Sequence, residues 1–432
     1  MEKFSSQDDI FIASPNSRRY VWLTRKGSEG IFVIDGNPQT TYQSIYPGSI
    51  QFSPDSKNLV YSVEERGKQL VIFNGKEGPA FDEIAPRSLL FSPDSKRLAY
   101  AARLGKKWSI VLDGKVLALY NEIGAHRWVA EMGVNTPKGF QSVFQQPSIN
   151  WSMKFSQDSK HFAYLAIDKG FWFFVLDEHP QKPYETIPLS PDEFGFSPDN
   201  KHLVYKVKHQ GRSFLVIDGK EQKHFDLLAY GSPTFSPDSK RLGYFAEQDG
   251  VWFAVIDGIK NELHGNPITR SIKFSPDSKR IAFATWVNKQ EWFWTVDGCK
   301  HSIYTHHGMS DFTPDSKHFI YAAKKGNHGH LVTDGLEGKS SYSMVGPFRI
   351  SPDGDHIAYT GKTKSMGKFQ DYMVLDGICG KAFDKILGQA LFSPNSQRIA
   401  YRARLGKILV CSNRQQTRQT LSESIWFGIL PK

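Results

Sequence analysis

Cysteine is scarce. The three residues, Cys299, Cys379 and Cys411, are too few and too scattered for a disulfide framework or a metal knuckle. No apolar run approaches the roughly 18 residues of a membrane-spanning helix. The first thirty residues lack the basic-then-apolar-then-small pattern of a secretion signal. A cytoplasmic protein is expected, with a periplasmic or secreted chain whose signal has been removed as the alternative. Catalytic motifs are missing as well. There is no Gly-x-Ser-x-Gly elbow and no His-Glu-x-x-His pair, and Gly338-Lys339-Ser340 has Thr333 where a phosphate loop needs glycine. The nearest approach to a metal cluster, His306-His307 with His328 and His330, fits no ligand spacing and reads as solvent-exposed loop histidines. No catalytic, cofactor-binding or metal residue is assigned, and an enzyme is not expected.

What is present is repetition. A Ser-Pro-Asp-Ser-like turn begins at Ser14, Ser53, Ser92, Ser156, Ser197, Ser236, Ser275, Thr313, Ser351 and Ser393. The steps are close to 39 residues, except for one of 64 after the third turn. Each unit reads as four short strands. The first ends in the turn, where proline pre-sets φ and Asp and Ser bond the neighbouring backbone. The second carries a large–small–aromatic triplet such as Leu98-Ala99-Tyr100, and the third runs into an Asp-Gly pair such as Asp113-Gly114, a strong hairpin signal. The fourth is short and carries one aromatic, as at Tyr42, Phe81, Tyr184, Phe225 and Phe383.

Four-stranded units repeating at about 40 residues predict a β-propeller. The 13% aromatic content fits blades covered on both faces, and Trp108, Trp172, Trp252, Trp292 and Trp294 are expected to pack between blades. One ring of ten blades spanning residues 1–432 is expected, with two smaller rings as the alternative. Either Lys3 to Asp9 or Ser424 to Leu430 supplies a closing strand. An insertion of about 25 residues, at about 125–150, falls in a connection between blades.

The run Phe91-Ser92-Pro93-Asp94-Ser95-Lys96-Arg97-Leu98-Ala99-Tyr100 resembles the repeat of TolB-type, WD-repeat-like bacterial propellers. The resemblance covers nearly the whole chain and implies a propeller; such propellers serve as binding platforms, as peptidase gating domains and occasionally as enzymes. Departures are Gln157 for the turn proline, Asp177-Glu178 for Asp-Gly, and Cys411-Ser412 at the end of the tenth unit.

The net charge of +10 does not come from the repeat. Basic residues after the turns number 13 against 17 turn and hairpin acids, and the alternating signs suggest a solvated, self-neutralised rim. The connections between second and third strands instead hold 20 Lys or Arg and 7 Asp or Glu. The candidate contact residues there are Arg103, Lys106, Lys107, Lys206, Lys208, Arg212, Lys324, Lys325, Lys362, Lys364, Lys368, Arg402, Arg404 and Lys407. Arg127 and Trp128 of the insertion are expected on the same face. A concentrated positive face favours an anionic partner. The expected function is a non-catalytic binding platform, a scaffold that contacts protein partners with acidic surfaces. Alternatives are a nucleic-acid-binding module and a hydrolase or lyase with its site at the central channel. Neither a cofactor nor a membrane is expected.

Overall fold

The computed structural model describes residues 10–412 except 27–28, 40–41, 43, 125–151, 188–193, 232, 289–290, 339–341, 366–367 and 407. The chain divides into two compact units, Met1–His224 and Phe225–Lys432. Among the described residues each unit holds five antiparallel sheets, and the sole helical element is a single 3-10 turn at Pro47–Ser49. Every sheet is an antiparallel meander, in five of which two short segments, such as Glu83–Ile84 and Leu90–Phe91, both pair with the second strand, and the fold is an all-β β-propeller architecture built from ten repeats. Sheets are numbered as blades one to ten along the chain. Blades one to five lie in the first unit and six to ten in the second.

Blade three shows why the triplet recurs. Its second strand, Leu98–Leu104, pairs with Lys107–Leu112 from Ala99 opposite Leu112 to Leu104 opposite Lys107. Residues 98–102 are all buried, because both faces of the sheet are covered. Tyr100 turns towards blade two, where it joins Val60, Val71 and Phe81. Ala99 and Ala101 turn the other way, and against them pack Phe162 and Tyr164 of blade four. Large side chains of one blade thus meet small ones of the preceding blade, which lets the sheets approach closely. The tryptophans follow suit. Trp292 and Trp294 are buried in a cluster with Phe319 and Tyr321 of blade eight, and Trp108, Trp172 and Trp252 are half-buried against their own clusters.

The turn motif is a hydrogen-bonded knot. Ser53 Oγ donates to Asp55 Oδ1 (2.6 Å) and accepts the Asn58 N–H, while Asp55 Oδ1 also accepts the Lys57 N–H. The last serine of the motif then clasps the previous blade. The Asp55 N–H donates to Ser95 Oγ at 3.0 Å, and Asp94 to Ser159, Asp238 to Ser278, Asp277 to Ser316 and Asp353 to Ser396 repeat the contact. Of the two basic positions that follow, the first stays on the solvated rim, as Lys96 does beside its own turn aspartate, while the second is held in the fold. Arg97 bonds Asp113 of its own Asp-Gly hairpin at 3.0 Å, donates to the Lys160 carbonyl of the next blade and lies 5.3 Å from the Phe155 ring centre. Arg19, Arg241 and Arg280 act alike, and His161, His202, His318 and His356 hold the hairpin aspartate at 2.6 to 2.8 Å.

Two expectations change. First, the connections between second and third strands are not irregular loops. They are mostly two-residue hairpins, such as Arg66-Gly67, Lys169-Gly170, Gln210-Gly211 and Asp249-Gly250, with positive φ at both positions. Most of the basic residues assigned to these loops are therefore strand residues. Second, the insertion does not lie between blades. Glu122 and Ile123 already pair with Ile167 and Ala166, and Met153–Phe155 pairs with the same strand. The extra chain is inserted into an interruption of blade four's first strand. Other blades carry that interruption in short form, five residues at 46–50 in blade two and at 85–89 in blade three.

Candidate functional site

The sequence offered one candidate site, the basic residues at the hairpin end of the blades, and the structure sorts them into three fates.

In Met1–His224 three of the six described candidates are engaged inside the fold. The Arg103 guanidinium grips Glu83 at 3.0 Å, donates to the Gly105 carbonyl and lies over Trp108. Lys107 reaches across to Asp168 of blade four at 3.0 Å and holds that carboxyl below its ordinary range. Lys206 is a correction. It sits in mid-strand opposite Leu215 and is only 4% exposed, so it is not offered by any hairpin. Lys106, Lys208 and Arg212 are exposed. Arg127 and Trp128 lie outside the described residues, as do Lys407, the segment from Lys3 to Asp9 and that from Ser424 to Leu430.

In Phe225–Lys432 the strand period separates the rest. Lys324 is half-buried and Lys325 exposed at the end of blade eight's second strand, Phe319–Lys325. In blade nine Lys362, Lys364, Phe369 and Asp371 occupy one face of the paired strands Ile357–Ser365 and Lys368–Leu375, since Lys362 is opposite Asp371 and Lys364 opposite Phe369. Asp371 is buried. One oxygen accepts the Ile386 N–H of blade ten at 2.9 Å, and Lys362 lies 3.4 Å from the other, serving as its counter-ion. Phe369 is 54% exposed and is flanked by the Lys362 and Lys364 ammoniums, 5.7 and 5.5 Å from its centre. Lys368, at the start of the third strand, is exposed.

Arg402 and Arg404 do not join that face. They alternate with the buried Tyr401 and Ala403, which pack with Ala358 and Met373 of blade nine, so the two arginines point away from blade nine. Both are exposed, and neither is paired with a carboxylate among the described residues. The basic residues of blades nine and ten thus flank blade ten on two sides.

The histidines expected in loops are on strands. His306 opposes Lys324, and His330, opposite Ala323, has a side chain only 13% exposed, with Nδ1 3.8 Å from Glu337. Among the described residues no group of three or more His, Cys, Asp or Glu side chains gathers as a metal would require.

A recurrent acid escaped the sequence reading. Asp82, Asp226 and Asp384 follow the fourth-strand aromatic, and their carboxylates accept the N–H of Gly105, Asp249 and Gly406 in the next hairpin. The signal was legible as Phe-Asp-x-Ile/Leu at 81–84, 225–228 and 383–386. Its role is to pin the hairpin rather than to bind a ligand.

No protein-family model and no curated protein sequence matches the chain. Solved structures do resemble it. A crystal structure of the eukaryotic initiation factor is 12% identical, over 84% of this chain and 96% of that one, with a TM-score of 0.38. TolB from Acinetobacter baumannii is 16% identical, over 64% and 77%, with a TM-score of 0.26. The dihydro-heme d1 dehydrogenase NirN in complex with DHE is 13% identical, over 88% and 79%, with a TM-score of 0.30. The assignment of the chain to the all-β propeller architecture rests on its own strand pairing.

Proposed function

We propose that the chain is a non-catalytic binding platform whose second unit contacts a protein partner with an acidic surface. The observation that carries this reading is Phe369. A large ring left half in water, bracketed by two lysines with a third at the adjacent hairpin, is the composition of an interface anchor: an apolar centre inside a rim of one charge. The positive rim supplies encounter rate and orientation, and the ring supplies the desolvated contact. A rigid sheet presents these groups without ordering a loop, which keeps the entropic cost of binding low. The likeness of the repeat to TolB-type propellers belongs to the same proposal.

The test is quantitative pull-down from the native cell with two variants beside wild type. One changes Lys364, Lys368 and Phe369 to Ser, and the other changes Arg402 and Arg404 to Ser. The first variant loses the recovered protein partner and the second weakens it. Equal recovery by wild type and the first variant would refute the reading. Recovery of nucleic acid instead, with affinity falling steeply as salt rises, would favour the nucleic-acid alternative.

A further inference from the structure

Blade six breaks the pattern of the fourth-strand aromatic. In blades two, three, seven and nine a ring closes the gap to the next blade: Phe81 against Tyr100, Tyr120 against Tyr164, Tyr304 against Tyr321 and Phe383 against Tyr401, with ring centres 5.9 to 6.5 Å apart. Each of these rings lies seven residues after the Asp or Asn of its own hairpin. In blade six the count is one shorter, and Leu263 takes the place. Its N–H donates to the Trp252 carbonyl at 2.9 Å, as the Tyr304 N–H donates to that of Trp292. Leucine is shorter than the tyrosine or phenylalanine it replaces, and Leu263 packs with Ile256, Ile281 and Phe283. A cavity of about 630 Å³ runs beside it, walled by Ile256, Phe283 and Phe293, within the range of small-ligand pockets.

Two further features mark this gap as more than a packing fault. Thr285 lines it where blades three, four, six, eight and ten have Ala102, Ala166, Ala246, Ala323 and Ala403. Its hydroxyl is fully buried and has no hydrogen-bond partner among the described residues, a costly state unless something else supplies the bond. Lys300, exposed at the rim, holds its ammonium 4.0 Å from the centre of the Phe293 ring.

We propose that this slot between blades six and seven binds one hydroxylated aromatic ring, inserted where the neighbouring blades insert their own Tyr or Phe. The ring stacks between Ile256 and the Phe283 and Phe293 rings, and its hydroxyl pairs with Thr285. A free phenol and a tyrosine side chain of a partner polypeptide offer the same chemistry.

The test uses the full chain and ligand-observed NMR with p-cresol, toluene and N-acetyltyrosinamide. p-Cresol is expected to bind saturably to wild type. Leu263→Tyr, which restores the missing ring, abolishes binding, whereas Leu263→Ala, which widens the slot, retains it. Thr285→Ala removes the preference for p-cresol over toluene, expected at about fivefold from one hydrogen bond. Circular dichroism confirms that each variant is folded. Binding of N-acetyltyrosinamide alongside p-cresol identifies a side chain as the source, and its exclusion identifies a free phenol. No saturable binding to wild type, or binding untouched by Leu263→Tyr, overturns the proposal.

Discussion

Glu178 is at odds with its position. It occupies the second site of the blade-four hairpin with φ of 67°, where every other complete Asp-Gly pair has glycine. A left-handed conformation costs a side chain about 1 kcal/mol relative to glycine, and the exposed pair it forms with Lys115 at 2.7 Å returns little. Glu178→Gly is expected to raise stability by about 1 kcal/mol in urea unfolding, and a loss of stability would contradict this. Ser95 carries the opposite expectation. Its buried hydroxyl accepts the Asp55 N–H from the neighbouring blade. Ser95→Ala leaves that donor unpaired and should cost about 1–2 kcal/mol by the same measurement. An unchanged midpoint would show that the clasp contributes nothing.

At the scale of the element, the turn is where acid should act. The hydroxyl of the motif's first residue and the backbone N–H two residues on hold Asp55, Asp94, Asp158, Asp238, Asp277 and Asp353 below the usual carboxylate range, and the Thr313 hydroxyl helps bring Asp315 to about 2. A carboxyl depressed on folding adds stability above its unfolded value, near 3.9, and that contribution is lost as pH falls through the lower folded value. Thermal melting is therefore expected to drop between about pH 4 and pH 2. Thr313→Val, which removes a donor to Asp315, should lessen the loss from that turn. A melting temperature constant across this window would contradict the account. These turns were readable from sequence because Ser, Pro and Asp act locally. The clasp between blades was not, since it joins residues about forty apart whose adjacency only packing creates. The same limit explains the misplaced charges. Arg103, Lys107 and Lys206 were grouped by position along the chain, while partners such as Glu83, Asp168 and the buried mid-strand environment come from pairing. The insertion was misassigned because a strand of two residues, Glu122–Ile123, leaves no period to read.

For the whole molecule, the +10 charge is less concentrated than the chain suggested. Much of it is bonded within blades, and the exposed basic residues of the second unit are spread over its blades, with Lys364 and Lys368 beside Phe369 and Arg402 and Arg404 on the far face of blade ten. The central claim is that the Phe369 face meets an acidic protein, and photo-crosslinking tests it most directly. With p-benzoylphenylalanine at position 369, and at exposed Phe11 as control, irradiation in the native cell is expected to give a discrete adduct with an acidic polypeptide from 369 alone. Absence of an adduct at 369, or equal labelling from both positions, would contradict the account.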